Sequence, residues 1–256
     1  MHGIRIPNKQ KGGSALKKLI MLLTAGAIIL SCAAAEPLKL APDLEDSIRI
    51  KLNEQAEYVY SFCYPQVEAA DEASELINSF YRYKADDARN FEIPMNADYY
   101  RTQNVTENVT TEISYSVTCN NDDFFSVLVS SRQGNRTFYA GHTFTRSDLK
   151  KGTAISLPYL LGLLDSNEED EWLRERQTSR SEETVRRLVW NSLKEKQDGE
   201  LRPELKEELE FVFFPEEDFY LNEDGSPVFY LQPGIVDESD VLMTFPFTIE
   251  EILDEM

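Results

Sequence analysis

Four aromatic side chains stand at every second position of one short stretch, Tyr58, Tyr60, Phe62 and Tyr64. That spacing limits the fold more than any other feature of the chain. A period of two puts all four on one face of a β-strand, with Val59, Ser61 and Cys63 on the other; a helix would scatter them around its cylinder. The stretch is therefore a strand whose aromatic face needs an apolar layer to cover it. Ile48 to Leu52 alternates as well, so the two read as an early hairpin, and Pro65 ends its second strand. Hydrophobic residues make up 41% of the 256 and aromatics 11%, too much for a disordered acidic chain and enough for a real core.

Downstream, Ala69, Ala73, Leu76, Ile77, Phe80 and Tyr83 recur near 3.6, which predicts a helix from about Glu68 to Asp86 with Asp71 or Ser74 at its start. Phe91 to Tyr100 reads as irregular. Val105 to Cys119, Phe124 to Arg132 and Phe138 to Thr145 read as a meander, joined by Asn120-Asn121-Asp122-Asp123 and Gln133-Gly134-Asn135. The turn Lys150-Lys151-Gly152-Thr153 precedes a short strand, Ala154 to Leu157. The second half changes period. Pro158 to Leu164 is a helical turn, Asp165 to Asp170 an acidic loop and Glu171 to Gln177 a charged helical stretch. Ser179-x-x-Glu182 reads as a capping box opening a helix to Gln197, stopped by Asp198-Gly199. A short helix at Leu205 to Leu209 follows, then strands at Phe211 to Phe214, Phe219 to Leu221, Val228 to Leu231 and Met243 to Phe247. Asn222-Glu223-Asp224-Gly225-Ser226 is a hairpin signal, and Ile249 to Leu253 a last helical turn. The fold class predicted is α+β: antiparallel sheets with a few packed helices in two adjoining subdomains, 49–135 and 136–256, behind a polar, Pro-containing tether at 36–48.

Residues 1–35 read as an export signal. A basic stretch to Lys18 precedes the apolar run Leu19 to Leu30 and the small residues Ser31-Cys32-Ala33-Ala34-Ala35, the three parts of a secretory signal. Twelve apolar residues fall short of the roughly 20 that span a bilayer. Ile29-Leu30-Ser31-Cys32 resembles a bacterial lipobox, which makes Cys32 the lipidated first residue of a mature lipoprotein held to a membrane by its lipid anchor only. The other reading is cleavage after Ala35 to release a soluble protein. Either way the location expected is outside the cytoplasm, in the periplasm or on the outer cell surface. Cys63 and Cys119 remain, both in strand-like stretches. They are a candidate disulfide in an oxidising compartment, and two buried thiols are the even alternative.

The chain carries 46 acidic and 26 basic residues, a net charge of -20, and no acid lies in the first 35 residues. From residue 36 onward, 21 basic groups therefore face 46 acidic ones, a balance of -25. So negative a domain repels phosphate, which excludes a nucleic-acid groove. No phosphate loop, GxSxG or HExxH occurs, and no cofactor or metal set is legible: there is no CxxC, and His142 is the one histidine past the signal. His142 is the only imidazole available for base catalysis there, but an acid–base pair can always be assembled from one histidine and many carboxylates, and such a histidine is more often a hydrogen-bonded strand or turn residue. Among 46 carboxylates a paired-acid site cannot be picked out. The acid runs Glu168-Glu169-Asp170-Glu171 and Glu216-Glu217-Asp218 read as solvated loops.

Several fragments taken in order resemble the RsiV-like extracytoplasmic module family. Tyr64-Pro65-Gln66-Val67 is followed by a helix with Ile77-Asn78-Ser79-Phe80. Next come His142-Thr143-Phe144-Thr145 and Asp148-Leu149-Lys150-Lys151-Gly152 with Ile155 and Leu157. Phe219-Tyr220-Leu221 with Gly225 leads to Val228-Phe229-Tyr230-Leu231-Gln232-Pro233, and Phe245-Pro246-Phe247 with Ile252-Leu253 closes the chain. The resemblance spans about 58 to 255. It implies paired α+β domains of largely unknown function used outside the membrane; one member senses lysozyme by binding it and holds a sigma factor through a cytoplasmic segment. This chain departs in having 18 residues before the apolar run, too few for a sigma-binding segment, and Tyr139-Ala140-Gly141 where the family has Gly-Gly-Ala.

The function expected from residues and resemblance together is a non-catalytic cell-envelope (lipo)protein that binds a protein or cell-wall-related ligand. The resemblance suggests lysozyme or another basic protein as that ligand, and a surface of this charge would steer a basic protein towards it. Glu168, Glu169, Asp170 and Glu171, with Glu216, Glu217 and Asp218, would form the rim around exposed aromatics. The alternatives are a cell-wall-acting hydrolase using His142 and a carboxylate, and a structural envelope subunit.

Overall fold

The aromatic strand lies where its period puts it. In the computed structural model of the protein, which describes residues 36–146, 154–165, 170–196, 201–237 and 239–256, β2 (Glu57–Val67) buries Tyr58, Tyr60, Phe62 and Tyr64 on one face. Each such ring removed from water contributes roughly 1.5–3 kcal/mol. Its hairpin partner β1 (Leu40–Lys51) runs antiparallel, in register from Lys51↔Glu57 to Leu40↔Val67 with a bulge between Ala41 and Leu44. The stretch expected to be a tether thus belongs largely to a strand. Its polarity misleads because β1 is the sheet's edge: only Leu44, Ile48 and Ile50 pack on the core, and Pro42 sits in the bulge, where an edge strand tolerates it.

The layer covering the aromatic face is helical. Asp71 and Ser74 form a reciprocal capping box at the start of α1 (Glu72–Asp87), satisfying amides that a helix start leaves orphaned. The helix passes through a π-helical turn (Ala88–Glu92) into α2 (Ile93–Thr102). The region read as irregular is therefore helix. Pro94 argues for a break in sequence, but it sits in the first turn of α2, behind a wide turn in which the Ile93 N–H reaches back to the Ala88 carbonyl; that turn gives the proline ring room. Ala73, Ile77, Tyr81, Ala85, Ala88, Ile93 and Ala97 form the buried face. Asn78 fastens the helix to the strand end, accepting from the Val67 N–H and donating to its carbonyl.

This crossover returns the chain to β3 (Val109–Asn120), parallel to β2 over Tyr58↔Val109 to Phe62↔Ile113. Antiparallel β4 (Phe124–Gln133) and β5 (Arg136–Thr145) follow, completing the order β1-β2-β3-β4-β5. β5, which the sequence reading assigns to the second subdomain, is the far edge strand of this first sheet.

A second layer of three short strands, β6 (Phe219–Leu221), β7 (Pro227–Leu231) and β8 (Met243–Pro246), is packed with α3 (Leu157–Leu160), α4 (Glu171–Lys196), α5 (Leu205–Val212) and α6 (Ile249–Asp254) around its own buried cluster. Gly225, at φ +84°, makes the predicted β6–β7 turn. The two layers meet at β5. A Cβ on Gly141 would lie 1.7 Å from the Phe219 carbonyl oxygen, so only glycine lets the strands approach. There the Gly141 N–H donates to the Tyr230 hydroxyl, while Gln232 takes the Tyr139 N–H and donates to its carbonyl. These side chains close an edge that would otherwise present bare backbone.

Other predicted boundaries move. β2 runs on past Pro65 to Val67, pairing again with β1 beyond the bulge. α4 is one helix through Ser179, with no start there: nothing in 171–196 is Gly or Pro, and the Ser181 hydroxyl bonds back to the Thr178 carbonyl inside the helix. Phe211 and Val212 end α5 rather than begin a strand, and only Phe213 is extended at its C-cap. The expected stop at Asp198-Gly199 and the turn at 150–153 lie outside the described residues.

Candidate functional site

His142 sits on β5 among rings. Phe80 and Tyr81 of α1 pack against it with centroids 5.0 and 5.8 Å away, and the Tyr81 hydroxyl is 3.4 Å from Nδ1. Burial first, and the Lys84 charge second, hold its pKa down at about 4. At neutral pH it is an uncharged ring wedged under a helix, in surroundings that suit packing rather than proton transfer.

The acid runs divide. Glu168 and Glu169 lie outside the described residues. Asp170 and Glu171 are exposed, and Asp170 caps α4 by accepting from the Leu173 N–H. Glu216 and Asp218 do not stand out in solvent as expected; only Glu217 between them does. Burial raises the Glu216 carboxyl to about 7, against the pull of the Leu157 backbone N–H, and its Oε2 has no hydrogen-bond partner. Burial likewise raises Asp218 to about 6, opposed by bonds from the Phe214 N–H and from Gln232. Alternation cannot reveal this, because the Phe214–Asp218 turn is pressed against the layer by long-range packing.

Cys63 and Cys119 are free thiols, so of the two even readings the pair of thiols holds and the candidate disulfide is not formed. Cys63 lies one residue past the Phe62↔Ile113 pair, level with Ser114. Cys119 is five residues further along β3, about 16 Å at strand rise, whereas bridged Cα atoms lie within about 7 Å. Cys63 donates to Asp43 and Cys119 accepts from Asn121; burial pushes both thiols up to about 11, leaving them unreactive. Cys32 lies outside the described residues. Among the described residues no cluster of His, Cys, Asp and Glu could hold a metal ion, and no helix is long and apolar enough to cross a membrane.

Exposed apolar side chains gather instead on the outer face of the crossover. Phe91, Met95 and Tyr99 are 69%, 66% and 57% exposed. Their i, i+4, i+8 spacing makes one stripe running from the π-helical turn along α2. Leu76 and Tyr83, two turns apart on α1, are exposed as well, and so are the carboxylates of Glu72, Glu75, Asp86 and Asp87 on α1. Reading Phe91 to Tyr100 as irregular hid the stripe; its four-residue spacing was the signal that could have found it.

A second feature lies on the other layer. An open groove of ≈ 720 Å³ runs between α4 and α5, with Arg186, Arg187, Lys194 and Lys206 among its walls and Trp190 and Phe211 beside them. Two guanidiniums are fixed by the fold: Arg186 pairs with Glu182 at 3.1 Å, and Arg187 binds the Glu255 carboxylate and, at 2.6 Å, its carbonyl.

No protein-family model and no curated protein matches the chain. Among solved structures it is similar to a DUF3298 family protein from Pseudomonas aeruginosa PAO1, with a TM-score of 0.46 and 13% identity over 86% of this chain and 94% of that one. It is also similar to a DUF3298 family member from Bacteroides fragilis NCTC 9343, with a TM-score of 0.43 and 14% identity over 84% and 94%.

Proposed function

We propose that this chain is an exported, non-catalytic protein of the cell envelope, lipid-anchored through Cys32, that binds a basic protein or a cell-wall-related ligand. Lysozyme is the partner to test first. The observation that carries this reading is the exposed stripe Phe91–Met95–Tyr99 on an acidic chain. Aromatic residues and methionine are what the centres of protein interfaces are enriched in, and soluble proteins seldom leave such a group bare without a use for it. Carboxylates along the neighbouring α1 supply a polar rim that attracts cationic surfaces. The neutral, aromatic setting of His142 supports binding over hydrolysis.

The test is binding of c-type lysozyme to the native chain and to a Phe91→Ser/Tyr99→Ser variant, at low and at physiological salt. The reading expects saturable binding that persists at physiological salt and weakens by about tenfold or more in the variant, since a central hot-spot aromatic carries about 2 kcal/mol or more. Attraction that disappears with salt and ignores the variant would be charge alone, and would end the lysozyme assignment.

A further inference from the structure

From residue 36 onward the chain has 21 basic residues, and seven of them lie in α4: Arg174, Arg176, Arg180, Arg186, Arg187, Lys194 and Lys196. That helix carries five acids, Glu171, Glu175, Glu182, Glu183 and Glu195, so it is the positive element of a strongly negative protein. The α4–α5 groove departs from the acidic surface around it: four cationic side chains line it against two carboxylates, Glu183 and Glu210. Even with Glu182 and Glu255 paired to the two arginines, its charge balances while the chain from residue 36 carries -25. Acidic walls would suit the rest of the surface and this composition runs against it, which is the mark of a place where negative charge is received.

We infer that the groove between α4 and α5 binds an acidic peptide segment in polyproline II conformation, with two carboxylates three residues apart and an apolar residue between them. Arg187 and Lys194 are two helical turns apart, about 10 Å along α4. One turn of a polyproline II chain, three residues at about 3.1 Å each, covers nearly the same distance, about 9 Å, and returns the side chain to the same face. Trp190 lies midway between the two cations, and Phe211, 76% exposed, stands on the opposite wall, so a side chain between the two carboxylates meets aromatic surface. Arg187 is held in position by Glu255, and its guanidinium has donors to spare beyond those two bonds. Lys194 and Lys206 form no ion pair among the described residues; Lys194 instead sits 6.0 Å from the Trp190 ring centroid. Their ammonium groups are open to a ligand. A single small anion would satisfy one cation and leave the aromatic walls bare, so the length and lining of the groove favour a peptide over phosphate.

The chain contains two tryptophans, so a full-length Trp172→Phe protein reports Trp190 fluorescence alone. It is titrated with the capped hexapeptide Ala-Glu-Leu-Phe-Glu-Ala, with the same peptide carrying glutamine for both glutamates, with an isomer whose glutamates are adjacent, and with inorganic phosphate. Saturable change is expected with the first peptide, about tenfold tighter than with the adjacent isomer, the worth of one well-placed charge contact. Lys194→Gln and Lys206→Gln, both surface changes, are each expected to weaken it severalfold with unchanged melting temperature. An equal response to the glutamine peptide, full competition by phosphate at equal concentration, no saturation by about 1 mM (a free energy near -4 kcal/mol), or indifference to both lysine variants would each overturn the assignment.

Discussion

An imidazole packed among rings fits while it is neutral and resists the arrival of a charge, so the pH at which His142 is forced to choose leaves a mark on stability. Its folded pKa of about 4 lies below the ordinary 6.5. Between those values the unfolded chain takes up a proton that the folded chain refuses, so stability falls as pH drops from 6.5 towards 4, by up to roughly 3 kcal/mol. Urea titrations should therefore find the native advantage over His142→Leu shrinking by about that much between pH 7.5 and 4.5; a constant difference would place the ring in solvent. Glu216 has the opposite sign. Its folded pKa of about 7 lies above the ordinary 4.5, so the stability it contributes is whole below 4.5 and is lost as pH rises through 7. Glu216→Gln should match the native protein near pH 4.5 and exceed it by about 2 kcal/mol at pH 8, a figure reduced for the part of the group that water reaches. Neither residue betrays this in the sequence. A histidine in an alternating strand and a glutamate in an acidic run read as ordinary surface groups, because what shifts them is Phe80 and Tyr81 sixty residues away in one case and the α3–α4 layer in the other.

At the scale of elements, local chemistry was legible wherever neighbours in sequence decide the outcome. The period of two fixes β2, the Asn222–Ser226 turn fixes the β6–β7 hairpin, and Asp71 with Ser74 fixes the start of α1. The misreadings share a cause: a local signal was overruled by packing. Pro94 fails to break the helix because a π-helical turn makes room for it, and Ser179-x-x-Glu182 fails to start one because Glu171 onward is already helical. The joint between the layers was beyond reach, since Gln232 and Tyr139 are ninety-three residues apart. It is also the joint most open to test. Gly141→Ala pushes a methyl into the Phe219 carbonyl, and the layers can only separate to accept it; a loss of about 3 kcal/mol is expected, with β6–β8 amides exchanging faster than those of β2. Gln232→Leu keeps the bulk but strips the partners from the Tyr139 N–H and carbonyl, and should lose about 2 kcal/mol. Uniform exchange in Gly141→Ala would mean that the layers unfold as one and that β5 is not where they part.

Across the whole molecule the question is how a surface of -25 divides its labour with a few exposed rings. Long-range charge raises the rate of encounter with a cationic partner and is screened by salt, whereas desolvated aromatic contact sets how long the partner stays. If the acidic surface steers and the Phe91–Met95–Tyr99 stripe holds, the two contributions separate in kinetics. Raising salt from about 0.05 to 0.5 M should slow association with lysozyme by tenfold or more while dissociation changes little. Phe91→Ser and Tyr99→Ser should do the reverse, speeding dissociation and leaving association almost untouched. Charge-reversing Asp86 and Asp87 to lysine should mimic added salt, since both are exposed on the helix that leads into the stripe. A dissociation rate that rises steeply with salt but ignores the aromatic variants would shift the contact off α2, and the exposed carboxylates elsewhere on the surface would have to carry it.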